Sequence, residues 1–144
     1  MKQKLLFIFA LLCTVAQGAW AETINLSSVT ADVTAQNGDV LIGTTTTYKV
    51  TIAGDATVTL SGVTISNGGA NSHCIQCSGS ATIILAEGTT NTLTCTGNYS
   101  TALRPGGTGT TLTIQGTGTL KAQSGWKSAG IGAVSNEGAG GGAS

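Results

Sequence analysis

Alternating apolar and small polar residues recur along this chain in one fixed order. Ala53–Gly69 (AGDATVTLSGVTISNGG), Gly79–Gly97 (GSATIILAEGTTNTLTCTG) and Gly107–Gly125 (GTGTTLTIQGTGTLKAQSG) each open with a small-residue turn, run through an alternating stretch, pass a glycine-containing corner and enter a second alternating stretch. Residues two apart share one face of a strand, so this period predicts strands with one apolar side. Registered on their apolar positions, the repeats give columns. Val58, Ile83 and Leu112 align, followed by Leu60, Leu85 and Ile114. Past the corner, Val63, Leu93 and Leu120 align, followed by Ile65, Cys95 and Ala122. Before the turn, Ile75, Leu103 and Ile131 recur at steps of 28 residues, with Ile52 as a fourth member.

A unit of this size cannot bury its apolar side alone, so repetition implies stacked coils. The expected fold is all-β: a right-handed parallel β-helix, with three short strands per coil, about three to four coils and an open C-terminal end. Its strands are expected to be roughly 3–5 residues long and to stack at about 4.8 Å. Right-handedness follows from the strong preference of parallel crossovers. A β-sandwich is the competing fold, but sandwiches need antiparallel hairpin spacing and seldom keep columns at a fixed period. Residues 22–47 alternate without the repeat's phrasing, as expected of an N-terminal capping coil, and residues 48–133 carry the repeats. Residues 134–144 are glycine-rich and supply neither strand nor cap, which points to a truncated coil with further domains downstream.

Residues 1–21 read as a signal peptide: Lys2 and Lys4, an apolar run from Leu5 to Val15, then Ala19-Trp20-Ala21 as a cleavage site. The run is too short for a membrane span. Leu12 is too bulky to precede a lipid-modified Cys13. The chain is therefore expected to start at Glu22, to be secreted or displayed at the cell surface through the Sec pathway, and not to insert into a membrane. Lys49, Arg104, Lys121 and Lys127 then stand against Glu22, Asp32, Asp39, Asp55, Glu87 and Glu137. With no basic patch, nucleic acid is excluded as a partner. Composition alone, rich in Thr, Ser and Gly, would suggest a disordered linker; the alternation argues against it.

Gly54-Asp55-Ala56-Thr57-Val58-Thr59-Leu60-Ser61-Gly62-Val63-Thr64-Ile65, the phrase Ala81–Leu93 and Ser128-Ala129-Gly130-Ile131-Gly132 resemble the secreted bacterial β-helical carbohydrate-binding-domain proteins over about residues 24–133. The resemblance implies a polysaccharide or glycan partner. A pectate-binding group of that family is similar in fold to pectate lyases and holds calcium through acidic side chains. Here Ser61 stands where an acid often precedes the Gly-Val-Thr-Ile phrase.

Catalysis by a lyase of this kind needs several carboxylates converging on calcium plus a base. Asp55 aligns with Ser80 and Gly109, and Glu87 has no acidic partner in its column. Arg104 and Lys121 read as surface charges, His73 is the single histidine, and no Ser-His-Asp set is assigned. No catalytic or metal-ligating residue is assigned, and no cofactor is expected beyond the calcium of the family resemblance.

In His73-Cys74-Ile75-Gln76-Cys77, strand alternation places Ile75 and Cys77 inward and Cys74 outward, with Cys95 also inward. These cysteines read either as buried free thiols packing as small apolar groups or as a Cys77–Cys95 bridge, and their odd number leaves at least one unpaired. Tyr99 and Trp126 fall on the same corner of successive coils, where two rings form a platform for sugar faces, with Asn71 and Asn98 supplying amide hydrogen bonds. The plainer role of these rings is to cover corner backbone. Thr57, Thr59, Thr82, Ile84, Thr111 and Thr113 make an outward array similar to the Thr-x-Thr ladders of some ice-binding proteins, although threonine also simply suits an exposed strand. The sequence thus points to an exported, non-catalytic module that binds polysaccharide or glycan. Its rivals are the front part of a lyase or hydrolase and a structural stalk or adhesin spacer.

Overall fold

The computed structural model describes residues 20–133; the proposed leader, apart from its last two residues, and the glycine-rich segment 134–144 lie outside them. The described residues contain no helix. Eleven strands follow in order: β1 (Thr23–Asn25), β2 (Val33–Ala35), β3 (Val40–Thr45), β4 (Val50–Ile52), β5 (Ala56–Asn67), β6 (Ile75–Cys77), β7 (Ala81–Leu85), β8 (Thr90–Cys95), β9 (Leu103–Arg104), β10 (Leu112–Gly116) and β11 (Thr119–Gln123). Every strand pair is parallel. One sheet runs β1-β3-β5-β7-β10, with β8 pairing both β5 and β11; the other runs β2-β4-β6-β9. Neither sheet closes on itself. No strand pairs with its neighbour in sequence, so each repeat bonds to the repeats before and after it, consistent with a β-helix or solenoid-like fold.

The apolar rows run through both sheets. Val58 pairs with Ile83 and Ile83 with Ile114, Leu60 pairs with Leu85, and Ile65 with Leu93, which pairs with Ala122. In the second sheet Val33, Val50, Ile75 and Leu103 follow one another in register, and an isolated bridge continues the row to Ile131. Val58, Leu60, Ile65, Ile83, Leu93, Ile75 and Leu103 are fully buried. Each such side chain contributes about 1.5–3 kcal/mol relative to exposure.

Three details differ from the sequence reading. Leu112 pairs with Ala81 rather than Ile83, and Leu85 meets Gly116 rather than Ile114. The same two-residue offset makes Leu93 the partner of Ile65 and Val50, not Ile52, the partner of Ile75. Alignment on large aliphatics overlooked that small or polar residues, Ala81 and Asn91, occupy inward positions. Second, strands span 2 to 12 residues: in β5 the first two stretches of a repeat form one strand, bending at Gly62, whose φ of 76° is in the left-handed region. At the equivalent bend after β10's apolar positions, Gly116 has a φ of 101°, and a Cβ there would run into the backbone of Leu85. Third, the Thr row is Thr57–Thr82–Thr113, with Ile84 and Gln115 beside Thr59; Thr111 precedes β10.

The first repeats are shorter. Side-chain ties between them link residues 17 apart: Lys49 N–H donates to Asp32 Oδ1 (3.1 Å) and Thr44 N–H to Ser27 Oγ (2.9 Å). Buried Asp39 accepts from Glu22 N–H at 2.8 Å and Gln36 N–H at 2.7 Å. Later ties link residues 28 apart.

Candidate functional site: an aromatic and cationic corner

The corner preceding the second sheet repeats a phrase: Gly69-Ala70-Asn71-Ser72, Gly97-Asn98-Tyr99-Ser100 and Gly125-Trp126-Lys127-Ser128. Its third residue is left-handed every time, with φ of 54° at Asn71, 57° at Tyr99 and 59° at Lys127. Non-glycine residues adopt that conformation at a cost, and at Asn71 and Tyr99 bonds between repeats hold them in it. Asn71 N–H donates to the Asn98 carbonyl (3.0 Å) and Tyr99 N–H to that of Trp126 (2.9 Å). Inside the corner, Ser100 Oγ donates to the Gly69 carbonyl at 2.7 Å and accepts from Ser72 N–H at 3.1 Å.

All four residues expected to contact sugar, Asn71, Asn98, Tyr99 and Trp126, come together on this corner. The rings do not form a flat platform. Trp126 is equivalent to Asn98 rather than to Tyr99, so the two rings meet edge to face, with centroids 6.4 Å apart and planes inclined by 61°. Lys127, absent from the sequence-based site, completes the group. Its ammonium lies 4.3 Å from the centre of the Trp126 ring and 5.5 Å from that of Tyr99, and donates to Tyr99 Oη at 3.2 Å. Cation and ring quadrupole attract, and the hydrogen bond fixes the ammonium between the two aromatics. Trp126 remains 62% exposed. The Gly-x-x-Ser phase was the available signal: it sets Lys127 directly after Tyr99 in the column.

The His73 region differs from expectation. Cys74 is not outward: it lies in a bend before β6, where strand alternation does not reach, and is fully buried. Its sulfur sits 2.9 Å from that of Cys95, so Cys95 is partnered by Cys74 and not by Cys77. Hydrogen bonding to Cys95 and burial push the Cys74 thiol well up, while the same hydrogen bond lowers that of Cys95. Burial alone pushes Cys77 up to about 11. His73 is buried, accepts from Thr101 N–H at Nδ1 (3.1 Å) and has Arg104 Nη1 3.1 Å from Nε2. Arg104 is thus engaged in β9 rather than an isolated surface charge.

The family resemblance implies calcium, and the donors do not suit it. Both oxygens of Asp39 are occupied by backbone N–H groups, and Asp32 accepts from Lys49 N–H and pairs with its ammonium at 3.8 Å. Among the described residues no three His, Cys, Asp or Glu side chains converge. Comparison with protein-family models, curated proteins and solved structures finds no match to this chain.

Proposed function

We propose that the chain is an exported, non-catalytic module of right-handed parallel β-helix architecture, about three to four windings long, that binds polysaccharide or glycan at the Tyr99–Trp126–Lys127 corner. The observation that carries this reading is the exposed indole of Trp126 held beside Tyr99 and Lys127 on a backbone ladder. Aromatic faces take the C–H side of sugar rings, while the Asn71 and Asn98 amides and the ammonium suit hydroxyl or carboxylate oxygens. Export is supported by the leader pattern. It is also supported by Glu22 N, 2.8 Å from the buried Asp39 carboxylate: cleavage after Ala21 would turn that nitrogen into an ammonium facing an anion.

The test is affinity electrophoresis and glycan-array binding of the full chain, its Trp126→Ala and Tyr99→Ala variants, and Lys127→Ala. Retention by at least one polysaccharide, weakened tenfold or more in Trp126→Ala, is the expected result. Salt-sensitive binding lost in Lys127→Ala identifies an acidic glycan. Undiminished binding by Trp126→Ala and Tyr99→Ala moves the site elsewhere, absence of any binding favours a stalk, and release of unsaturated sugars indicates a lyase.

A further inference from the structure

Three buried thiols play no part in the corner, and two of them touch. Cys74 precedes β6, and Cys95 closes β8, which belongs to the following repeat. Their sulfurs are 2.9 Å apart and held from both sides. Cys74 Sγ lies 3.7 Å from the Ile65 carbonyl, whereas Cys95 Sγ lies 3.7 Å from that of Ser72 and 3.5 Å from that of Thr101. Two thiolates on one zinc ion would stand roughly 3.8 Å apart, given Zn–S bonds of about 2.3 Å in a tetrahedron, so the pair is too tight for a shared metal. Among the described residues Cys77 has no sulfur partner, and its buried thiol is a poor nucleophile near neutral pH.

We propose that Cys74 and Cys95 form a disulfide that staples one repeat to the next, leaving Cys77 as a thiol. The oxidant is a small disulfide such as oxidised glutathione. The Cys95 thiolate attacks one of its sulfurs and expels one glutathione thiolate. The Cys74 thiolate then attacks Cys95 Sγ in the mixed disulfide and expels the second. Two protein thiols lose two electrons, glutathione disulfide gains them, and the two protons released by the protein protonate the expelled thiolates. Both sulfurs are buried in the folded chain, so exchange proceeds during folding or local opening. The bond would link residues 21 apart and limit the freedom of the unfolded chain between them.

The full chain, refolded in buffers of defined oxidised and reduced glutathione, quenched with acid, alkylated under denaturing conditions and mapped by mass spectrometry, provides the test. One linked Cys74–Cys95 peptide pair and an alkylated Cys77 are expected once oxidised glutathione is in excess. Alkylation of Cys74, Cys77 and Cys95 alike under that excess, or a linked Cys77, overturns the proposal. Melting gives a second reading. Reductant should lower the Tm of both wild type and Cys77→Ser by roughly 10 °C. Loss of that sensitivity in Cys77→Ser would equally overturn it. Both measurements use chains that keep the Cys74–Cys95 pair, so neither depends on a variant lacking it.

Discussion

The row Val58–Ile83–Ile114 and the junction around Asn91, only a few residues away in each repeat, solve the same stacking problem by opposite means. In the row, side chains are purely aliphatic, and backbone groups are satisfied by regular parallel pairing. At the junction the backbone turns at Gly62 and loses that pairing, so Asn91, fully buried in an inward position, replaces it. Its Oδ1 accepts from Gly62 N–H (3.0 Å) and Val63 N–H (2.9 Å), and its Nδ2 donates to the Thr119 carbonyl at 3.2 Å. One amide thus connects three repeats. Apolar burial supplies the bulk of the stabilisation and sets no unique height along the stack, while the polar side chain fixes where the bend at Gly62 falls.

Cutting into the aliphatic row should have the largest effect. Ile83→Ala removes a fully buried side chain between two others and should cost about 2–5 kcal/mol in chemical denaturation. A loss below about 1 kcal/mol would mean that the rows are not what holds the stack.

A thiol already embedded in apolar surroundings offers a pH probe of the second sheet. Cys77 pairs with Ile52, and burial raises its folded pKa to about 11 from an ordinary 9.0. The folded state therefore holds its proton more tightly. That stability is intact below about pH 9 and is lost as pH rises through about 11, amounting to about 2–3 kcal/mol. Urea midpoints measured across this range on wild type and Cys77→Ala should diverge only because the wild type weakens.

Asn91→Leu sharpens the contrast from the other side. An isosteric apolar residue fits the row, yet strands the Gly62 and Val63 N–H groups, for about 1–3 kcal/mol lost. Hydrogen exchange should quicken at those two amides before the rest of β5. Unchanged exchange there would show that the amide fills space and nothing more.

What could be read in the sequence follows the same division. The repeat, the parallel strands and the Ile75–Leu103–Ile131 row were legible because large aliphatics announce a face. The register of the later repeats was not, because Ala81 is too small to mark an inward position and Asn91 is of the wrong polarity. Cys74 eluded alternation because it lies in a bend rather than a strand. That Asn71, Asn98, Tyr99 and Trp126 share one corner was legible from their positions, whereas the place of Lys127 and the inclined rings depended on a one-residue phase that the Gly-x-x-Ser phrase carries and ring spacing does not.

The left-handed positions Asn71, Tyr99 and Lys127 share a backbone geometry, held at Asn71 and Tyr99 by main-chain bonds and beside Asn71 by Ser100. An amide, a phenol and an amine already occupy equivalent seats there. Such a scaffold can exchange its outward chemistry one seat at a time without renegotiating its fold, so the exposed groups of the corner are open to change while the main-chain arrangement beneath them stays fixed.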